Sequence, residues 1–189
     1  MNFLAHAYLA PPSVPLTLGN FIGDFVKGRR INLYSPEITE GIVMHRKIDT
    51  FTDSHPVFKQ SCCRIRRKYN HYSGVIIDLF YDHFLARNWI DYSQIPLNHF
   101  TKGVYDIIQD HEHLIPDRAR YILPYMVKSD WLLNYATIEG IDRSLKGLSR
   151  RTSFQSGMEH ASQELIKHYD NLHDDFRIFF PDIINFISQ

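Results

Sequence analysis

The sequence predicts an all-α protein, a single compact helical domain over residues 1–189. It contains no Asn-Gly or Asp-Gly dipeptide and no sustained alternation of apolar and polar residues, which are the usual signs of hairpins and strands. Apolar residues instead recur at helical spacing, and prolines punctuate the chain. With 189 residues, of which 44% are apolar, the chain is long enough to bury one core.

Helical periodicity and proline positions place the elements in order. Ser35 before Pro36 is typical of a helix start, because a proline at the first helical position loses no hydrogen bond. No linker, repeat or low-complexity segment divides the chain. We predict helices at residues 16–28, 36–52, 55–70, 73–90, 97–111, 118–135, 138–148 and 154–178, with a short apolar helix after Pro181.

The distribution of apolar residues argues against a membrane protein. No run approaches the roughly 20 apolar residues that a membrane span needs. The segment MNFLAHAYLAPP lacks the basic flank and the cleavage site of a signal peptide. We therefore expect a cytoplasmic protein without a membrane partner.

Charge is balanced overall but unevenly distributed. The formal net charge is zero, yet residues 1–100 carry 11 Lys and Arg against 8 Asp and Glu. The basic residues concentrate in KGRR at 27–30 and RIRRK at 64–68. If the aspartates of this half face inward, its outer surface is basic and suits an acidic partner. The alternative is an ordinary solvated helix face.

Polar residues spaced by four occur in three of the predicted helices. Residues four apart share a helix face, so each set forms one polar stripe among apolar neighbours. Buried carboxylates need a cation or several hydrogen bonds, and a divalent metal with imidazole ligands neutralises several at once. Taken singly, each set also fits a capping or surface role. The sets are Asn20 and Asp24; His45, Asp49 and Asp53; and Asp78 and Asp82, with His83 adjacent.

At these residues the sequence resembles the acyl carrier protein phosphodiesterases, or holo-acyl carrier protein hydrolases. This family is a noncanonical relative of the HD phosphohydrolases, so the resemblance implies an HD-phosphohydrolase-like helical fold. The doublet here is Asp82-His83, the reverse of the usual order. The matching segments, in order, are MNFLAH, GN followed by DFVKG, HRKID followed by TD, DHFL, and more loosely SDWLLNY and HYD.

The resemblance implies a Mn²⁺-dependent enzyme that removes the 4′-phosphopantetheine group from the serine of holo-acyl carrier protein, leaving the apo protein. Other divalent metals also suit the ligand types. His6 is the candidate acid that protonates the leaving serine oxygen. The candidate metal ligands are Asp24, His45, Asp49, Asp82 and His83, and the candidate catalytic residues are His6, Asp53 and Asp78.

Acyl carrier proteins are small and acidic, which gives the basic segments a function as a docking surface. This interpretation excludes nucleic acid as the partner and leaves the oligomeric state open. Two alternatives remain: an HD-type metal phosphohydrolase acting on a nucleotide or other small phosphodiester, and a non-enzymatic module that binds nucleic acid or protein through RIRRK. The candidate docking residues are Arg29, Arg30, Arg64, Arg66, Arg67 and Lys68.

Overall fold

The computed structural model describes residues 1–152 and 154–189, and every regular element within them is helical. This confirms the predicted all-α class. Short 3₁₀ turns, including Gly23–Phe25 and Gly28–Leu33, connect several of the helices. The α-helices are α1 (Phe3–Leu9), α2 (Val14–Ile22), α3 (Pro36–Ser54), α4 (Pro56–Tyr69), α5 (Ser73–Arg87), α6 (Leu97–Asp110), α7 (Asp117–Lys128), α8 (Trp131–Asn134), α9 (Ile138–Ser149), α10 (Ser162–Lys167) and α11 (Tyr169–Ile187).

Helices α2 and α3 pack backbone against backbone, and two glycines permit this approach. A Cβ atom on Gly19 would lie 2.1 Å from the Ile38 carbonyl oxygen. A Cβ atom on Gly41 would lie 2.5 Å from the Leu16 carbonyl oxygen. His45 lies one helical turn after Gly41, so the same close contact brings its side chain against α2.

Helix α5 lies at the centre of the core. Its residues from Ile76 to Ala86 are buried on every face, with Asp78 the exception. Helix α11 packs its aromatic face, including the fully buried Phe176 and Phe180, against this part of the core. A helix that is apolar on all sides belongs in a protein interior. The polar pair Asp82 and His83 on α5 is therefore inside the protein.

Helix α1 was not predicted, and a tertiary contact explains it. Seven residues are too few to form a stable helix alone. The buried Asp82 carboxylate accepts backbone N–H groups of Asn2, Leu4 and Ala5 at 3.3, 2.8 and 3.3 Å. It thereby satisfies the N–H groups that a helix start leaves unpaired.

The predicted helix at 118–135 is wrong, because two helices occupy this range. Asp130 separates α7 from α8 with a left-handed backbone, φ +38°. Its side chain accepts the Leu133 N–H at 3.4 Å and so caps α8. Aspartate tolerates this backbone conformation better than most residues.

The prediction after residue 154 is also wrong. A 3₁₀ turn at Met158–His160 precedes α10, and α11 then continues through Pro181 instead of ending before it. Phe179, Phe180 and Ile183 are fully buried on either side of this proline. Burial of three large apolar side chains offsets the one backbone hydrogen bond that proline cannot donate.

None of the helices in the described part of the chain combines the length and the apolar character needed to cross a bilayer.

Candidate active site

Three elements bring a cluster of two histidines and two aspartates together. His6 is on α1, Asp24 is on the 3₁₀ turn after α2, and His45 and Asp49 are one turn apart on α3. The two imidazole rings stack, with their centroids 3.9 Å apart. Gly23 makes room for this arrangement, since a Cβ atom there would lie 2.3 Å from His45 Cγ.

Asn20 holds both imidazole rings in place. Its Nδ2 donates to the His6 carbonyl oxygen, so its Oδ1 accepts from His6 Nδ1, both at 2.9 Å. Its backbone carbonyl oxygen accepts from His45 Nδ1 at 2.8 Å. Each ring therefore carries its hydrogen on Nδ1, and in the neutral ring the Nε2 atom presents a lone pair.

Carboxylate oxygens face both Nε2 atoms. Asp49 Oδ1 lies 3.1 Å from His6 Nε2, and Asp49 Oδ2 lies 3.1 Å from His45 Nε2. Asp24 Oδ1 lies 3.3 Å from His45 Nε2. Lone pairs and negative charge therefore converge on one point, which is favourable only when a proton or a cation occupies it.

The pKa values follow from this arrangement. Burial lowers the pKa of His6 to about 4, so its ring is neutral at pH 7. Burial also lowers the pKa of His45, but the attraction of the nearby Asp24 and Asp49 carboxylates outweighs it and raises this pKa to about 9. Burial raises the pKa of Asp49, but the two histidines outweigh that effect and hold this pKa well below its usual range.

The ligand types and their spacing fit a divalent metal ion. One ligand atom each from His6, His45 and Asp49 lies within 4.8 Å of the others. His45 Nε2 is buried and makes no well-aligned hydrogen bond despite its two carboxylate neighbours. Two imidazoles and a carboxylate form a ligand set that Mn, Fe and Zn accept. The Nδ1 hydrogen bonds would orient the two rings for such an ion.

A cavity of about 420 Å³ opens beside this cluster. This volume is within the usual range for small-molecule sites. Four carboxylates and two arginines give the cavity its charge, and apolar side chains from several helices complete the wall. The carboxylates are Asp24, Asp49, Asp53 and Asp78, and the arginines are Arg118 and Arg151.

Asp53 and Asp78 line this cavity but lie outside the histidine cluster. Asp53 is exposed at the end of α3 and also lines a second groove that includes Arg66. Asp78 accepts a hydrogen bond from the Met1 amino group at 2.8 Å. Burial raises the pKa of Asp78, and the Met1 amino group acts in the opposite direction without cancelling the increase.

The structure does not bring Asp82 and His83 to the cluster. Both oxygens of Asp82 accept backbone N–H groups at the start of α1. His83 Nδ1 donates to the Tyr135 carbonyl oxygen at 2.8 Å, and its Nε2 pairs with the Tyr169 hydroxyl at 3.1 Å. Their polar atoms are thus engaged in contacts that stabilise the fold. The spacing of these residues from Asp78 on α5 could not predict these contacts, because sequence spacing does not show which element packs against a helix face.

The predicted docking residues divide into two groups. Arg64 forms a two-pronged ion pair with the buried Asp175, and Lys68 pairs with Glu164 at 3.0 Å. The other four are exposed, with no carboxylate partner in the part of the chain that the structure describes. These four are Arg29, Arg30, Arg66 and Arg67.

Three residues of the site were missed by sequence reasoning as functional residues. Asn20 was noted only for its spacing from Asp24, whereas its contacts hold both histidines. Arg118 and Arg151 line the cavity from distant parts of the chain and belong to no recognisable motif. For Asn20, the motif GN directly before the Asp24 turn was the available signal.

The sequence is similar to known proteins over nearly its whole length. The sequence model of the family described as acyl carrier protein phosphodiesterase matches residues 1–183. A protein of that name from Yersinia enterocolitica is 33% identical over 186 residues, covering 98% of this chain and 96% of the relative. A second from Photorhabdus laumondii is 32% identical over 185 residues, covering 96% of this chain and 92% of the relative.

No solved structure matches the chain. The expected likeness to the HD phosphohydrolases therefore stays a prediction. The match of the family model and the identity to its named members confirm the family expected from the sequence motifs, and with it a hydrolase acting on a phosphodiester. The chain belongs to the acyl carrier protein phosphodiesterase family.

Proposed function

We propose that this protein is a metal-dependent phosphodiesterase that hydrolyses the 4′-phosphopantetheine group from the serine of holo-acyl carrier protein, with Mn²⁺ as the metal. The products are apo-acyl carrier protein and 4′-phosphopantetheine. Family membership supports the substrate class, because the named relatives are acyl carrier protein phosphodiesterases.

One observation carries the metal-dependent part of the proposal. His6 Nε2, His45 Nε2 and the carboxylates of Asp49 and Asp24 converge on one point at the edge of the cavity. A divalent ion held by these four residues would neutralise the carboxylates and use both lone pairs. When bound, the metal supplies Lewis-acid polarisation of a phosphoryl oxygen and lowers the pKa of water.

The chain's own residues keep the ligands in position. Asn20 holds both imidazoles with Nδ1 protonated, so that their Nε2 atoms face the metal position. Arg46 Nη2 donates to the Val26 carbonyl oxygen at 3.0 Å and ties the segment that carries Asp24 to α3. These contacts fix the ligand geometry before substrate binds, which reduces the cost of reorganisation.

Asp78 suits the role of the acid that protonates the leaving serine oxygen. The sequence assigned this role to His6, but a pKa of about 4 leaves that ring without a proton to give at pH 7. Burial raises the pKa of Asp78, and its carboxyl group lines the cavity. An acid whose pKa is raised toward the working pH is the more effective proton donor.

Exposure and charge support a docking role for the exposed arginines toward an acidic carrier protein. Arg66 lines a groove of about 420 Å³ that shares Asp53 with the main cavity. Arg29 and Arg30 follow closely on Asp24, another residue of the cavity wall. Such exposed basic side chains near residues of the cavity wall would raise the association rate with an acidic protein at low salt.

The experiment measures the mass of holo-acyl carrier protein after incubation with this protein and Mn²⁺. We expect loss of the phosphopantetheine mass with the wild type, and no loss with EDTA. Asp49→Asn should reduce the rate by about 100-fold or more, because it removes a charged ligand of nearly the same shape. Asp110→Asn is the matched control, since Asp110 is exposed at the end of α6.

Mn²⁺ binding itself, followed by electron paramagnetic resonance, gives a readout independent of turnover. We expect binding to the wild type and to Asp110→Asn, and weakened binding to Asp49→Asn. Hydrolysis that persists in EDTA would contradict the metal-dependent mechanism. Activity on free nucleotides, with holo-acyl carrier protein left intact, would instead favour a nucleotide phosphohydrolase.

A further inference from the structure

Binding of a phosphodiester anion in the cavity calls for positive charge that the residues predicted from the sequence do not supply. A divalent ion would neutralise Asp24 and Asp49, and the Met1 amino group pairs with Asp78, so Asp53 is the aspartate of the cavity that would still repel a phosphodiester anion. Of the predicted docking arginines, none lines this cavity. Among the described side chains that do line it, Arg118 and Arg151 are the cations.

These two arginines come from a different part of the fold than the carboxylates. Arg118 is in the first turn of α7, and Arg151 lies just beyond α9. Ile122 of α7 and Leu148 of α9 contribute apolar side chains to the same cavity. The metal-ligand candidates are on or next to α1, α2 and α3. The arginines and the metal-ligand candidates thus reach one cavity from different elements of the fold.

Arg151 is held in a defined orientation. Its Nε donates to the Gly147 carbonyl oxygen at 3.1 Å, and its guanidinium carbon lies 5.7 Å from the centre of the Trp131 ring. Within the described residues, the Arg151 guanidinium donates a hydrogen bond through Nε, and its other N–H groups can therefore donate to a bound anion.

Neither arginine has a carboxylate partner among the described residues. Arg118 and Arg151 are both exposed residues, and partial desolvation together with the positive charge of Arg118 lowers the pKa of Arg151. The two positive charges line one cavity and repel each other, and neither makes an ion pair within the described part of the chain. An anion bound between them would remove this repulsion and would accept several charge-assisted hydrogen bonds.

We propose that Arg118 and Arg151 form a phosphate-binding subsite, which holds the non-bridging oxygens of the substrate's phosphodiester on the wall opposite the His6, His45 and Asp49 cluster. This inference rests on the proposed function for the identity of the phosphate ester. In this subsite the phosphate would lie between the two guanidinium groups on one side and the metal position on the other. They also counter the charge that accumulates on the phosphoryl oxygens in the transition state.

The test compares two ligands that differ by one phosphate group. Calorimetric titration of the EDTA-treated protein with 4′-phosphopantetheine and with pantetheine measures what the phosphate contributes to binding. We expect the wild type to bind 4′-phosphopantetheine more tightly. Arg118→Gln and Arg151→Gln should each weaken that binding by about tenfold or more and leave pantetheine binding unchanged.

Two further variants separate this role from a structural one. Arg150→Gln is the matched control, because Arg150 is exposed like its neighbour Arg151 but does not line the cavity. Arg151→Lys keeps the charge but loses the planar fork, and we expect it to recover part of the preference. Thermal unfolding midpoints close to the wild type would show that the variants are folded.

The proposal is overturned if the wild type shows no preference for 4′-phosphopantetheine, or if both glutamine variants retain it. Turnover of holo-acyl carrier protein is measured separately with Mn²⁺. Turnover by the wild type, together with unchanged phosphate binding in the glutamine variants, would refute this subsite and leave the proposed function standing. Arginine-dependent phosphate binding without turnover would support the subsite and refute the proposed function.

Discussion

Arg64 forms an ion pair with a buried aspartate, and we predict that its main role is to stabilise the fold. Asp175 is 4% exposed, and its carboxylate accepts hydrogen bonds from Gln60 at 3.0 Å, Ser61 at 2.8 Å and Arg64 at 3.1 and 3.2 Å. Among the described residues, Arg64 is the charged donor to Asp175, so Arg64→Ala would leave a buried carboxylate with two neutral donors, Gln60 and Ser61. Breaking such a pair is costly, because the remaining charge is desolvated and unpaired.

The magnitude follows from these contacts. Loss of hydrogen bonds to a charged group costs about 1.5 to 3 kcal/mol, and breaking a fully buried pair costs about 3 to 5 kcal/mol. The Arg64 side chain is 24% exposed, so water screens part of the interaction. We therefore expect Arg64→Ala to lower the free energy of unfolding by about 2 to 3 kcal/mol. In a chain of this length that lowers Tm by about 4 to 12 °C.

The assay is urea denaturation of four proteins: the wild type, Arg64→Ala, Asp175→Asn and the double variant. A coupling free energy of about 2 kcal/mol between the two residues is expected from the double-mutant cycle. Arg67→Ala is the matched control, since Arg67 is on the same helix and exposed. It should change stability by less than about 0.5 kcal/mol and lower kcat/KM for acyl carrier protein at low salt. Equal stability losses in Arg64→Ala and Arg67→Ala would refute the reasoning, as would a vanishing coupling energy.

The remaining predictions concern the site and its support. Gly23→Ala should weaken Mn²⁺ binding measured by calorimetry, because the new Cβ atom would lie 2.3 Å from His45 Cγ. Gly103→Ala is the control, since a Cβ atom there meets nothing within 4 Å. It should keep Mn²⁺ binding and stabilise α6 by about 0.5 to 1 kcal/mol. Asp82→Asn should lower the free energy of unfolding by about 1 to 3 kcal/mol without altering metal binding, since it weakens the cap of α1; loss of metal binding at unchanged stability would show that Asp82 is a ligand. Mn²⁺ at about 100 times its Kd should stabilise the wild type by about 2.7 kcal/mol in thermal unfolding and leave Asp49→Asn nearly unaffected, and an equal effect on both would contradict the assigned site.

The prediction of the site was strongest where its residues are close in sequence. His45 and Asp49 are four residues apart on one helix, so their shared face follows from helix geometry alone. The same spacing on α5 did not predict the contacts of its polar residues, because Asp82 faces the start of α1 and His83 faces Tyr135 and Tyr169. Periodicity shows which side chains share a face, but not which element covers that face.

The sequence by itself determined the all-α class, most of the helices between residues 36 and 111, and the family. These follow from local periodicity and motifs, which require no knowledge of the packing. Only the tertiary structure decided the existence of α1, the role of Asn20 and the placement of Arg118 and Arg151 on the cavity wall. Each depends on contacts between segments far apart in the chain, and such contacts form only when burial of the common core brings those segments together.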